Sequence, residues 1–453
     1  MNKNNNETFF IYNFEIQKDL LKKYLQKKIN KKVKNIFDLR ELNTRTQNEL
    51  IKVFNEMIKT KKYFKYCSSL LININPGPNN MYNYLNLEKY YTKKTQNENK
   101  KIIEPHLYFF IEQVYNIMKS TKTDQCINLL GLIGSGKTFN IIHILEYFSI
   151  FHSEKNPVQI FDVIHKSFQL IHIFGSIFRE NNVESTACGI LLRLGFDEKK
   201  FNLCDFDIES KILDFTLPFS ENGRSFNILH CFIEGSNSEL KRIFEINRTG
   251  FNFFKKFNNN FDEKTKERFK LNDLEIWNKL FNLLNFFGFE KSEIIDILHC
   301  LSFIINLNEA NIEKIKIKKK EYFHINSELL YKKLSKNLFI NLDLLKTFFG
   351  KFSTFEQIKI FIISLMKQTY YILFDFILSK IKEKLSIFFP KKNHKKILYI
   401  NIIDFPGEIK DKTLGGFTTN IANECLNMFA STNYHKIVEK LLKEGINLNR
   451  FLP

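Results

Sequence analysis

The chain holds little of the material from which cross-links, stiff loops or membrane spans are made. Glycine and proline number only 16 and 8 among 453 residues, which argues against a repetitive or loop-dominated chain. Seven cysteines (Cys67, Cys126, Cys188, Cys204, Cys231, Cys300 and Cys425) are scattered without a Cys-x-x-Cys pair. Neither a zinc site nor a disulfide framework is indicated, and single buried thiols in a reducing compartment are expected. No run of about 18 uninterrupted apolar residues occurs, so no membrane span is expected. Met1–Thr8 is polar and Asn-rich, without the apolar core of a signal peptide, and is expected to be disordered. No internal repeat and no helicase or RNA-binding motif stands out. Acidic residues are outnumbered, 49 against 68 Lys and Arg, for a net charge of +19. That excess favours an acidic filament, nucleic acid or acidic lipid as partner without choosing among them.

Apolar residues are plentiful at 44%, with 49 Phe and 17 Tyr, so a large core is easily built. Phe9–Lys34 mixes apolar residues with lysines and reads as a basic surface helix. Leu42–Lys62 has helical spacing at Leu50, Val53, Phe54 and Met57. Ser68–Asn75 reads as a strand stopped by Pro76-Gly77-Pro78. A helix is predicted over Leu107–Met118, a strand over Gln125–Leu130, and a helix over Thr138–Phe151 with Ile141, Ile144, Leu145 and Phe148 on one face. Strand-like runs follow at Ile190–Leu194 and Ile212–Leu217. The chain is then mostly helical from Asn272 to Ser386, a buried strand covers Ile397–Ile403, and a last helix covers Thr419–Glu444.

The most specific signal is Gly131-Leu132-Ile133-Gly134-Ser135-Gly136-Lys137-Thr138, two glycines four residues apart followed by Lys and Thr. Glycines let successive backbone N–H groups curl around one anion, and the following helix adds the positive end of its dipole. Lys137 is the counter-charge for the outer phosphates and the Thr138 hydroxyl a magnesium ligand. The preceding apolar strand and following amphipathic helix are the setting such a loop requires. ATP and Mg2+ are therefore the expected ligands.

With that loop as anchor, the order of the other segments resembles a myosin motor head from about Asp38 to Ile446. Leu70–Pro76 resembles the strand leading into the family's purine-binding loop, which implies that Tyr82 or Tyr84 lies against adenine, although neither sits at the family spacing. Pro105-His106 resembles the start of the helix before the phosphate loop. Phe174-Gly175 through Gly189 resembles the first switch loop, which implies Asn182 on the phosphates, Ser185 near the attacking water and Thr186 on magnesium. Asp404-Phe405-Pro406-Gly407 resembles the second switch, with Asp404 holding magnesium through water and the Gly407 amide near the terminal phosphate. Asn420-x-x-Asn423-Glu424 resembles the start of the relay helix. Kinesins share the three-loop logic, but the Asn75-Pro76 and Pro105-His106 segments and the long helical stretch between the switches favour myosin.

The resemblance implies an α/β fold of the P-loop NTPase motor type: a mostly parallel central sheet flanked by helices, with a large helical insertion. The expected division is a basic extension at 1–37, a nucleotide-binding core at 38–229, a helical inserted subdomain at 230–396, and the second switch with the start of a relay-like helix at 397–453. Lys137, Ser185 and Gly407 are the expected catalytic groups. Gly131, Gly134, Ser135, Gly136, Lys137, Thr138, Asn182, Tyr82 and Tyr84 are expected to bind nucleotide, and Thr138, Thr186 and Asp404 the metal.

Three departures fall on the water side of the site. Ala187 stands where the family has an Arg, Ile409 where it has an acidic residue (Glu408 comes one place early), and Ile133 where its phosphate loop is polar. Nucleotide binding is thus expected to persist and hydrolysis to be impaired, unless Arg179 or Arg193 supplies the missing charge. The family also continues past Ile446 into the second half of its filament-binding cleft, a converter and a lever. The chain is therefore expected to be a truncated relative, or one piece completed by another polypeptide, attaching weakly to actin through the basic segment Lys314–Lys320 in the cytoplasm and cytoskeleton. A non-motor, nucleotide-binding pseudoenzyme or scaffold is the rival expectation. A nucleic-acid-dependent enzyme rests on charge alone.

Overall fold

A computed structural model describes residues 7–14, 37–42, 46–67, 70–75, 85–88, 90, 104–154, 156–179, 182–212, 225–246, 262–317, 320–325, 327–350, 352–390, 396–407, 417, 419–426 and 428. The strands are β1 (Glu7–Phe14), β2 (Phe64–Cys67), β3 (Leu70–Ile74), β4 (Gln125–Gly131), β5 (Ser176–Arg179), β6 (Asn182–Thr186), β7 (Cys188–Asp197), β8 (Leu203–Ile212), β9 (Ile312–Ile317), β10 (Lys320–Ile325) and β11 (Ile397–Asp404). Seven of them form one sheet in the order β2-β3-β1-β4-β11-β7-β8, while β5-β6 and β9-β10 are separate hairpins.

The sheet is mixed, which corrects the expectation of a mostly parallel one. β1 runs parallel to β3 and β4, and β4 parallel to β11, but β2-β3, β11-β7 and β7-β8 are antiparallel. For β2-β3 and β7-β8 the reason is connection length. Two residues join β2 to β3 and five join β7 to β8, and such short links permit only antiparallel neighbours. The N-terminus brings a second correction. Residues 7–14, placed by sequence in a disordered tail and a basic surface helix, form β1, an interior strand between β3 and β4.

Helices α1 (Gln47–Lys59), α2 (Leu107–Thr121), α3 (Lys137–His152) and α4 (Pro157–Gly175) belong to the sheet region. Strand alternation lets β3 serve two cores. Leu71 enters the main apolar cluster, whereas Ile72 and Ile74 pack with Val53 and Met57 of α1 in a smaller one. His106 caps α2, its Nδ1 accepting from the Tyr108 amide at 3.2 Å, so the Pro-His pair has a plain helix-starting role.

Beyond the sheet lie α5 (Asn227–Gly235), α6 (Ser238–Ile243), α7 (Glu263–Phe286), α8 (Lys291–Leu307), α9 (Glu328–Leu338), α10 (Leu342–Phe348) and α11 (Phe355–Phe388). The expected boundary at 229/230 falls inside α5, and the main core runs through both sides of it. α11 is long and apolar enough by composition to cross a membrane. One face of it (Ile358, Ile362, Met366, Tyr370, Leu373, Ile377, Ile381 and Leu385) is a buried stripe, and Tyr370 donates to the Phe174 carbonyl, while Ile360, Ile372 and Ile387 on other faces are exposed.

Register fixes where function can sit. Asn13 lies opposite both Asn73 and Gly131, Asp404 opposite Leu129, and Ile190 opposite Asp404. The C-terminal ends of β3, β4 and β11 therefore reach one edge of the sheet, as does the start of β7.

Candidate functional site

At that edge β4 delivers the chain into the glycine loop. Gly131, Gly134 and Gly136 take φ of 136°, 78° and 92°, a region closed to most side chains, and α3 starts at once. Asn75, at the end of β3, donates from Nδ2 to the Gly134 carbonyl at 2.8 Å and so braces the loop from the neighbouring strand. Lys137 folds back over it, its Nζ donating to the carbonyls of Gly131 at 2.8 Å and Leu132 at 3.0 Å. Ser135 is fully buried, with a hydroxyl that has no partner among the described residues.

Three groups distant in sequence meet beside this loop. Thr138 Oγ1 lies 3.3 Å from Asp404 Oδ2 and 3.5 Å from Thr186 Oγ1. The other Asp404 oxygen is buried and has no hydrogen-bond partner among the described residues. Burial pushes the Asp404 carboxyl up to about 6, against the opposing pull of Lys137 and the Thr138 hydroxyl. One orphaned carboxylate oxygen beside two hydroxyls is a hard-oxygen donor set that fits Mg2+. With no second carboxylate among these groups, a cation held there needs further oxygens, such as those of a phosphate chain.

A cavity of about 550 Å³ is lined by Thr138 and Thr186 together with Ser185, Ile133, Phe405, Pro406 and Gly407. Gly407 presses on the loop so closely that a Cβ there would lie 2.4 Å from the Ile133 nitrogen. Asn423 holds this segment from the other side, its Nδ2 donating to the Pro406 carbonyl at 2.7 Å. The structure thus gathers Gly131–Thr138, Ser185, Thr186, Asp404 and Gly407 in one place. Asn182 begins β6, opposite Arg179. Tyr82, Tyr84, Glu408 and Ile409 lie outside the described residues.

Arg193 is not a substitute for the missing arginine. It is paired with Glu209 across β7-β8 and lies opposite Asn401, three residues and about 10 Å along the sheet from the Asp404 level. Among the described residues the cavity has two lysines, Lys137 and Lys279, and no arginine. Ala187 is buried in the main apolar core, its amide donating to the Gly175 carbonyl at 2.8 Å.

Sequence reasoning passed over two site residues. Asn75 was legible as the last polar residue before a Pro-Gly-Pro stop. His172 carries no signal, being one of two histidines in an apolar helix, yet its Nε2 lies 3.2 Å from Thr186 Oγ1. Burial pushes the His172 imidazole down to about 4, so the ring is neutral at neutral pH.

The family model for the myosin head (motor domain) matches residues 36–451. The chain is 22% identical to unconventional myosin-Ic-A of Xenopus laevis over 279 residues, covering 59% of this chain and 26% of that protein. It is 23% identical to unconventional myosin-IXAa of Danio rerio over 453 aligned positions, covering 93% of this chain and 18% of that protein. The same identity relates it to unconventional myosin-IXa of Mus musculus, over 91% of this chain and 17% of that protein. The chain thus spans a quarter or less of the length of the unconventional myosins of the IXa type and little more of the Ic type.

Proposed function

The chain belongs to the myosin head (motor domain) family, and from that premise we propose that it binds ATP with Mg2+ as an actin-associated cytoskeletal head and cleaves the nucleotide slowly. The observation that carries this reading is the convergence of Lys137, Thr138 and Thr186 on one cavity beside the glycine loop, with the buried Asp404 carboxylate against the Thr138 hydroxyl. The loop amides and the start of α3 receive the phosphates, and Lys137 leaves its two carbonyl partners to neutralise them. Thr138 and Thr186 hold the cation directly and Asp404 through water. Magnesium, when bound, neutralises charge on the phosphate oxygens. Asn182 steadies the phosphates, Ser185 orients water, and the Gly407 amide points to the terminal phosphate. Tyr82 or Tyr84 closes on adenine.

Slow cleavage rests on what surrounds the water. Ile133, Phe405 and Pro406 line the cavity without offering a side-chain polar group, and Ala187 offers no charge. Loss of one preorganised polar group typically slows a reaction about 100- to 1,000-fold, and losses within one constellation do not multiply. The motor and scaffold readings share this site and differ only in turnover.

The test is calorimetry followed by a single-turnover measurement. ATP with Mg2+ should bind the wild-type chain and bind Lys137→Ala at least about 100-fold more weakly, since a charge-assisted phosphate contact is lost. Cleavage should lag far behind binding. Equal affinity in Lys137→Ala would remove the phosphate-loop assignment, and cleavage as fast as binding would remove the slow-turnover one.

A further inference from the structure

We propose that His172 is a positioning residue for the cation: its Nε2 accepts the Thr186 hydroxyl proton, so that Thr186 turns its oxygen lone pairs to the metal. The inference rests on the reading of Thr138, Thr186 and Asp404 as the cation-holding groups and adds a residue to it.

A hydroxyl that ligates a cation does so through oxygen lone pairs, and its hydrogen must find an acceptor elsewhere. Two acceptors are close to Thr186 Oγ1: Thr138 Oγ1 at 3.5 Å and His172 Nε2 at 3.2 Å. A hydrogen aimed at Thr138 would point into the space between Thr138 and Asp404, where the cation is to sit. Thr138 itself donates to Asp404 Oδ2 at 3.3 Å. The imidazole is the acceptor that leaves the Thr186 lone pairs free. It comes from α4, a different element from α3, which carries Thr138, and from β11, which carries Asp404. Phe168, one helical turn before it, packs on the ring at a centroid distance of 5.2 Å and limits its rotation. The acceptor role assigns the ring proton to Nδ1.

The geometry has a second consequence. β5-β6 is a separate two-stranded hairpin outside the main sheet. The His172 contact ties the last residue of that hairpin, Thr186, to α4.

The experiment uses the full chain and three substitutions. His172→Phe keeps a ring but has no acceptor. His172→Asn is polar but too short for its amide to reach Thr186. His172→Gln places an amide oxygen near the position of Nε2. Binding of a slowly hydrolysed ATP analogue is measured in EDTA and then across a Mg2+ titration, with Mn2+ electron paramagnetic resonance of the bound cation as a second readout.

In EDTA all three should bind like wild type. His172→Phe and His172→Asn should need about 10-fold more Mg2+ for half-maximal strengthening of binding, the size usual when the partner of a metal ligand is removed. His172→Gln should recover most of that shift. An unmoved Mg2+ requirement in the variant that folds, Phe or Asn, would overturn the proposal. Equal weakening with and without Mg2+ would overturn it too, since a merely structural histidine behaves that way. If the wild-type chain binds no nucleotide under either condition, the nucleotide reading itself falls and this inference with it.

Discussion

At the scale of single residues, the site sets binding against stability. Asp404 is 1% exposed, and its carboxyl is raised from 3.8 to about 6. A raised acid pKa means that the nucleotide-free fold prefers the protonated group. The stability is fully present below about pH 4 and is lost as pH rises through about 6, where the ionised form dominates. A shift of that size corresponds to roughly 3 kcal/mol at neutral pH. Asp404→Asn should therefore raise the melting temperature of the nucleotide-free chain at pH 7 and gain little at pH 4, while nucleotide binding needs more Mg2+ for half-maximal strengthening. Calorimetric melts at the two pH values check the sign. Ala187 makes the opposite point. Restoring the family arginine looks like a simple repair on paper. Here the Ala187 side chain sits in the main apolar core at 1% exposure, so Ala187→Arg should bury an unpaired guanidinium and destabilise by about 3–5 kcal/mol. Cleavage should not accelerate. A variant that melts like wild type and turns over faster would show that this segment can reorient.

Elements explain why a strand before the family match matters to the site. The family model's match begins at residue 36, yet β1, residues 7–14, is an interior strand of the sheet. Among the described residues β1 is the strand that joins β2-β3 to β4-β11-β7-β8, and its Asn13 stands opposite Gly131 at the mouth of the phosphate loop. Without β1, Asn75 on β3 would lose its fixed spacing from Gly134. A proline within β1 removes a ladder donor from a central strand, where proline is not tolerated. Ile11→Pro should cost on the order of 3 kcal/mol or more in denaturant melts and weaken nucleotide binding in parallel. An unchanged unfolding midpoint would mean that β1 contributes nothing to the sheet.

For the whole molecule, the net charge of +19 favours acidic partners without choosing among filament, nucleic acid and lipid. The hairpin β9-β10 shows how much of its local charge is already spoken for: Lys314 pairs with Glu321 at 2.6 Å, and Lys316 approaches the same carboxylate at 3.7 Å. Exposed pairs of this kind are weak, and screening at physiological salt acts over about 8 Å. Co-sedimentation with actin should accordingly be weak at low salt, vanish near 0.2 M as roughly estimated from that screening length, and drop further in a Lys316→Glu, Lys320→Glu double variant. Tight attachment that survives high salt would point to an apolar contact instead of this hairpin.

The local chemistry of the site was written in the chain. The glycine loop, the strand before it, the helix after it, and the Asp404–Gly407 segment were legible because each depends on spacing over fewer than ten residues, where backbone sterics and periodicity decide. Tertiary structure alone decided the rest. That Thr138, Thr186 and Asp404 meet, that Arg193 is engaged by Glu209, that Ala187 faces the core, and that His172 reaches Thr186 all follow from strand order and register. The place of β1 is the clearest case. Eight residues carry no periodic signal strong enough to tell a central strand from a tail. Only the open partners on β3 and β4, sixty and more than a hundred residues away, settle where they pair.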